Sequence, residues 1–363
     1  MDKRSGTWPM ATFNPKQSFV GVDIGTFGIK AVQLGLDNQR PRLMTYGYIE
    51  QATDVVKNDA ATSREAAANA LKTVLHEAKV STTRAVAALP SFTVFSSIIS
   101  LPLMNRKELN SAVRWEAKKF VPMPIDELVL DWKLLKDTHP APAGPAAPKN
   151  LRVLITAAPK TLVRRYIDIF KAAGLQIVDL ETEALALERS LIGTDPAPVM
   201  IVDIGAMATD IAVVVDGIPL INRSIDVGGN TMTKSIAQSL NVDHGRAEQF
   251  KRDFGLSVSQ SQVSQVPKTV EFIISSIVNE IRFVLNLYRS QGAGPIQRIV
   301  LSGGSAFLLN LPAYLEKTLS IKTFIGDPWA RVVYPVELKP ALQEIGPRFA
   351  VAIGLAMREL LPT

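Results

Sequence analysis

The sequence contains no cysteine. That excludes disulfides, thiolate catalysis and cysteine-ligated metal centres, and it suits a reducing cytoplasm. Histidine is nearly as scarce. His76, His139 and His244 are scattered along the chain, which argues against a His-rich metal site. No apolar run approaches the roughly 20 residues needed to cross a bilayer. The opening stretch, MDKRSGTWPMATFNPKQS, lacks the apolar centre of a secretory signal, and residues 1–17 are expected to form a flexible polar arm. Basic runs with interleaved aromatics are also missing, although the net charge is +6 and the pI is near 9.4. A dedicated nucleic-acid surface is therefore excluded as a reading, while an acidic ligand or an anionic membrane surface remains compatible.

What is present is a chain of 363 residues, 47% hydrophobic and 20% charged. Those values fit two domains with a large core and rule out global disorder. Residues 19–34, FVGVDIGTFGIKAVQL, read as a strand, a turn and a return strand. Asp23 closes the first strand, and Gly25 is expected to supply a positive φ for the turn. Thr26 brings a hydroxyl and neighbouring N–H groups, and Lys30 is a polar position on the return strand. Such a unit can place backbone donors around a phosphate and leave the carboxylate to hold a hydrated cation. An ordinary hairpin has the same signature.

Residues 199–214, VMIVDIGAMATDIAVV, repeat that unit about half a chain length later. Asp203 falls on Asp23, Gly205 on Gly25 and Ala206 on Thr26. The repeat implies two similar domains whose turns face each other across a cleft and grip one polyphosphate from both sides. A third glycine feature supports a ligand: Gly303 and Gly304 follow the apolar strand RIVL and open a helix, whose N-terminus favours anions.

Between the repeats the pattern predicts a helix at 60–79 and an amphipathic helix at 106–120. The second stops at VPMP, where Pro122 and Pro124 block continuation. A Pro/Ala loop covers 139–148, and roughly 83–178 reads as a compact α+β insertion. After the second repeat come a hairpin turned at Asp216 and Gly217, and a helix behind Gly228 and Gly229. A long helix at 266–290 and an apolar final helix at 348–360 complete the chain.

The segments DIGTFGIK, VDIGAMATDI and LSGGSAFL resemble the phosphate-1, phosphate-2 and adenosine motifs of the actin-like ATPase superfamily, which includes actin, Hsp70, sugar kinases, MreB and FtsA. More narrowly, AVAALPSFTVFSSIISLPLM, AVRWEAKKFVPMPIDELVLDW, KAAGLQIVDLETEALALERS and VGGNTMTKSIAQSL resemble the PilM family of type IV pilus assembly. The resemblance covers nearly all of 19–361. It implies an α/β, two-domain actin-like fold of the duplicated ribonuclease H-like type with an inserted small α+β subdomain. Domain 1 would span 18–198 and domain 2 199–347, with a helical subdomain at about 231–290. Residues 348–363 would form a helix packing back on domain 1.

The resemblance also implies ATP and Mg²⁺ as ligands. Asp23 and Asp203 would bind the metal, mostly through water. Gly25, Thr26, Gly205 and Ala206 would supply backbone donors. Lys30 would reach a phosphate, or stand as a solvated strand lysine. Gly303 and Gly304 would approach the α-phosphate and ribose, Gly228 and Gly229 would line the second domain's side, and Glu280 would meet the ribose or adenine. Glu183 stands where relatives carry a water-polarising carboxylate, a position that a helix dipole also favours. Phe27 departs from the small polar residue that relatives often carry, which puts side-chain phosphate contacts of that turn in doubt.

The function expected on this basis is an ATP-binding cytoplasmic scaffold, at most a slow ATPase. It would be held at the inner membrane by the N-terminal cytoplasmic tail of a PilN-like protein, in a groove beside the insertion. Homo-oligomers are compatible. The alternatives are a small-molecule kinase of the same superfamily, a type II secretion or competence module, and an FtsA-like anchor. No acceptor motif supports the kinase. The anchor reading ranks lowest, because only Pro362 and Thr363 follow Leu361 where that family carries a linker and an amphipathic helix.

Overall fold

The first repeat opens a mixed sheet in the computed structural model, which describes residues 17–50, 55, 60–121, 123–135, 150–256 and 265–361. The expected N-terminal arm, Pro122 and the Pro/Ala loop at 139–148 lie outside these residues. β1 (Phe19–Gly25) runs antiparallel to β2 (Gly28–Asp37), with Asp23 opposite Lys30. β3 (Arg40–Ile49) follows a turn in which Asn38 and Gln39 both take positive φ. α1 (Ala61–Glu77) leads to β4 (Arg84–Leu89), which lies parallel to β1. Then come β5 (Phe95–Pro102), α2 (Arg106–Ala117), β6 (Leu128–Leu134) and β7 (Asn150–Pro159). α3 (Lys160–Ala172) returns the chain to β8 (Gln176–Thr182), and the first sheet has the order β3-β2-β1-β4-β8.

α4 (Glu183–Leu191) carries the chain into the second half: β9 (Val199–Ile204), β10 (Thr209–Val215), β11 (Ile218–Ile225), α5 (Gly229–Leu240), α6 (His244–Phe254) and α7 (Gln265–Ser290). β12 (Arg298–Ser302), α8 (Leu311–Leu319), β13 (Thr323–Ile325) and α9 (Lys339–Met357) complete it. The second sheet, β11-β10-β9-β12-β13, repeats the first strand for strand. In both, an antiparallel meander of three strands is extended by two parallel ones. The inner strands β1 and β9 are buried on both faces, which is why they read as unbroken apolar runs.

α1 and α3 cover one face of the first sheet. α5, α6, α7 and α8 pack with the second. α4 and α9 lie between the sheets, where Ala186 and Leu187 meet Val86, Ile201, Ala350 and Leu355. Small residues make this packing close. A Cβ on Gly354 would run into the Ala186 carbonyl, and one on Gly21 would lie 2.5 Å from Ala356 N.

The final helix begins at Lys339 and passes through Pro347, earlier than the apolar run suggested. The Pro347 carbonyl accepts from Gly303 N and Ser302 Oγ, both at 3.1 Å, and so ties this helix to β12. A second difference concerns the insertion. β4 and α3, which the sequence reading assigned to it, belong with the first sheet, where β4 pairs with β1 and β8 and α3 packs on one face. The separate sheet is β5-β7-β6, with α2 packed on Ile99, Val153 and Ile155 through Leu109, Val113 and Ala117. Pattern alone gives no sign of which apolar strand lies beside which when the partners are far apart in sequence. α2 starts on a capping box between Asn105 and Glu108.

Replacing Gly21 or Gly354 by valine would force a branched side chain into backbone between β1, α4 and α9. Each variant is expected to lose about 3 kcal/mol or more in urea unfolding. Gly294→Ala, with nothing within 4 Å of the added carbon, is expected to stay within about 0.5 kcal/mol of the parent.

Candidate functional site

The turns after β1 and β9 open onto one cavity of about 380 Å³. Asp23, Gly25, Thr26, Phe27 and Lys30 reach it from the first hairpin, and Glu183 from the start of α4. Asp203, Gly205, Ala206, Met207 and Asp210 reach it from the second hairpin. The expected residues of both repeats therefore converge. Gly228, Gly229, Gly303, Gly304 and Glu280 are not among the lining residues.

The glycines have roles different from those first assigned. Gly25 does not take a positive φ. It is constrained by space, since a Cβ would sit 3.2 Å from Lys30 Nζ and 3.3 Å from the Gly28 carbonyl. Gly205 N donates to the Ala208 carbonyl at 2.9 Å, so this N–H is already engaged within its own turn. Gly229 N donates to Gly205 O at 2.9 Å and Asn230 N to Ala206 O at 2.8 Å, which locks the start of α5 onto the same turn. Gly303 does need its glycine: φ is 83°, and a Cβ would lie 2.7 Å from Asp203 Oδ1. The Gly303 turn thus supports Asp203 from behind. Glu280 stands elsewhere, with Oε1 accepting from Arg223 Nε at 2.9 Å on the surface of α7.

The two hairpins differ in one decisive pair. Across the first, Asp23 faces Lys30, whose Nζ donates to Asp23 Oδ2 at 2.9 Å. Across the second, Asp203 faces Asp210. Like charges directly opposite each other destabilise a hairpin. Asp210 Oδ1 is also buried and makes no hydrogen bond of good geometry among the described residues, although the Ser224 and Ser91 hydroxyls lie near the carboxyl. Lys30 is the only basic side chain among the described residues lining the cavity, against Asp23, Glu183, Asp203, Asp210 and Asp226.

The protonation of these groups reflects that imbalance. Burial and the Asp210 carboxylate push Asp203 up to about 7, against the pull of the Ser302 hydroxyl. Burial pushes Asp210 up to about 6, opposed by the Ser224 and Ser91 hydroxyls. Burial, then Asp210 and Asp23, hold Glu183 well above the carboxylate range, although Ser91 N and Oγ donate to its Oε2 at 2.8 and 3.0 Å. Burial alone would lower Lys30, but Asp23 first, with Asp203 and Glu183 behind it, keeps it above the usual lysine value. Among the described residues no three acidic or histidine side chains converge closely enough to hold a metal directly, so a cation here would be held largely through water.

Two features escaped the sequence reading. Asp210 was legible from register, because it stands as far from Asp203 as Lys30 stands from Asp23. The other is a cluster on α6. Lys251 Nζ donates to Gly229 O at 3.1 Å, Thr233 Oγ1 at 2.9 Å and Glu248 Oε2 at 2.7 Å. Burial opposes ionisation of Glu248, yet the bonds from Lys251 and Thr233 draw it down to about 2. Its signal was the Glu–Lys–Arg spacing of 248, 251 and 252 on one helix face.

Two sheets of matching strand order, each presenting an aspartate turn to a shared cavity around two central helices, define an actin-like fold. Solved structures agree. MreB5 of Spiroplasma citri bound to ADP superposes with a TM-score of 0.54 at 16% identity, covering 94% of this chain and 95% of that one. A family model described as type IV pilus assembly protein PilM matches residues 21–360. The chain belongs to that family. A structure titled PilM-PilN type IV pilus biogenesis complex matches with a TM-score of 0.81 at 29% identity, covering 94% of this chain and 98% of that one. The cell division protein FtsA of Neisseria meningitidis is 26% identical over 279 residues, covering 66% of this chain. The chain spans 64% of that FtsA's length. No helix among the described residues is long and apolar enough to cross a membrane.

The carboxyl cluster predicts an inverted acid response. A group held at about 7 in the folded chain keeps a proton that the unfolded chain has released. The stability this group contributes to the metal-free protein is therefore fully present below pH ~4 and lost as pH rises through ~7. Asp203→Asn and Asp210→Asn should each flatten this fall. Each should gain on the order of 1 kcal/mol at pH 8 in urea unfolding with EDTA, and little at pH 5. An unaltered slope in both variants would locate the strain elsewhere.

Proposed function

We propose that the cavity binds ATP with Mg²⁺, and that nucleotide occupancy sets how this PilM-family chain presents its inserted unit to a PilN-like inner-membrane protein. The observation that carries the reading is the Asp203–Asp210 pair, two half-buried carboxyls facing each other beside glycine-shaped turns, with the Asp210 Oδ1 atom itself buried. A hydrated Mg²⁺ held by Asp203 and Asp23 meets that demand. The fit of the chain to the group rests on the Asp210 oxygen without a hydrogen bond and on the glycine at position 25, which lines the cavity without a side chain.

Thr26 and the N–H groups of Ala206 and Met207 face the phosphates, because Gly205 N–H is engaged. Lys30 shares its charge between Asp23 and the nearest phosphate oxygen. Gly304 with Gly228 and Gly229 bound the path towards the sugar, and the Lys251 cluster lies at its far side. Ser91 N and Oγ both donate to Oε2 of Glu183, which leaves one oxygen to face a water, and burial holds the carboxyl above its usual range. A carboxyl engaged in this way by Ser91 favours nucleotide holding and slow hydrolysis over rapid turnover. The two lobes of this machine are 18–198 and 199–347, with 348–363 returning to the first. Association with the membrane is indirect and cytoplasmic, through the tail of the PilN-like partner beside α2.

Thermal unfolding tests the site. ATP–Mg²⁺ at about 100 times its dissociation constant stabilises by roughly 2.7 kcal/mol. The gain is expected in the wild type and much reduced in Asp203→Ala, and equal gains would put the nucleotide elsewhere. A pull-down with the cytoplasmic tail of the PilN-like protein tests the partner, and absence of binding both with and without ATP would refute it.

A further inference from the structure

Phe27 has no role in the reading above, and two other side chains share its situation. Phe27 is 45% exposed, Phe92 44% and Met207 37%. They come from three separate segments: the β1–β2 turn, the short 3₁₀ turn at 91–93 and the β9–β10 turn. All three line the same cavity as the carboxyls. Large apolar side chains left exposed at the mouth of an acidic cleft gain free energy only if the walls carrying them approach.

Each member is anchored. Met207 Sδ accepts from Asn230 Nδ2 at 3.4 Å, which ties it to the start of α5. Phe92 follows Ser91, whose N and Oγ hold Glu183 and whose hydroxyl also lies near Asp210. The 91–93 turn packs against β11 and runs directly into β5. β5 is paired with β7 along its whole length, so displacement of Phe92 carries the inserted sheet with it. Opposing forces therefore act across the cleft. The carboxyls of Asp23, Glu183, Asp203 and Asp210 resist closure while Lys30 is their only lining counter-charge among the described residues, and the apolar trio favours closure.

From this geometry we infer that Phe27, Phe92 and Met207 form an apolar clasp that shuts over the outer phosphate end of a bound nucleotide and transmits cleft closure to the inserted unit. The inference rests on the nucleotide reading and adds the residues that convert occupancy into movement. Asp23 and Asp203 would hold a hydrated Mg²⁺ between them; with their repulsion offset, the two turns would approach and the trio would become buried together. Water is excluded from the phosphate end at the same time, which slows hydrolysis in the closed form. Phe27 then has a reason to be apolar: a small polar residue there would leave the clasp without its first jaw.

A chain without cysteine offers a direct test. The pairs Thr26→Cys with Ala208→Cys and Thr93→Cys with Ala208→Cys stand beside the three apolar side chains and leave them in place, and oxidation by diamide reports how often the walls meet. Disulfide formation should be about tenfold faster with ATP–Mg²⁺ than with EDTA in both pairs, as expected for a ligand that shifts the population towards closure. Phe27→Ala should release a fluorescent ATP analogue about tenfold faster than wild type in stopped flow. Thermal shift separates the two ideas. A wild type without an ATP–Mg²⁺ shift overturns the nucleotide reading and the clasp together. Pairs that keep the shift but crosslink at equal rates with and without nucleotide overturn the clasp alone. If a cysteine pair loses the shift, the Phe27→Ala release rate decides, and a rate within about twofold of wild type overturns the clasp.

Discussion

Asp203 and Asp210 face each other across the second hairpin where the first hairpin pairs Asp23 with Lys30. The fold duplicates a unit and then breaks its charge symmetry. One copy neutralises itself, and the other confines two half-buried carboxyls opposite each other, with the buried Asp210 Oδ1 left without a hydrogen bond. Such an arrangement persists only if surrounding structure enforces it and a positive ligand repays it. The enforcement is visible. Gly303 presses its backbone against Asp203 at a φ that favours glycine, and α5 is hydrogen-bonded to the carbonyls of the same turn.

The two central helices translate this local demand into large-scale geometry. α4 begins at Glu183 in the cavity and ends between the sheets, while α9 anchors β12 through the Pro347 carbonyl. Their contact is close because Gly354 and Ala186 allow backbone against backbone. The start of α4 in the cleft and the α4–α9 contact between the sheets are thus parts of one packed layer. The inserted sheet joins the same circuit at Ser91, whose N and Oγ hold Glu183 and whose hydroxyl lies near Asp210.

Much of this was legible before any coordinates. The apolar runs flanking Asp23 and Asp203 and their half-chain spacing signalled a duplicated unit, and the buried strands β1 and β9 are those runs. The hairpin at Asp216 and Gly217 takes the two positive φ values that its Asp-Gly dipeptide suggested. Other features were hidden. Gly25 was read as a φ requirement and is a space requirement. Glu280 looked available to a ligand from its helix position, and Arg223 holds it on the surface. β4 and α3 were grouped with the insertion because they flank it in sequence, and they belong with the first sheet.

The sequence by itself determined the strands, the turns, the repeat and the family, because these depend on residue type, local backbone preference and pattern over short distances. Tertiary structure alone decided which carboxyls are buried together, which glycine amides are already engaged, and that Phe27, Phe92 and Met207 share one cavity. Those properties depend on distance and desolvation between segments far apart in the chain, and neither quantity is written in any local pattern.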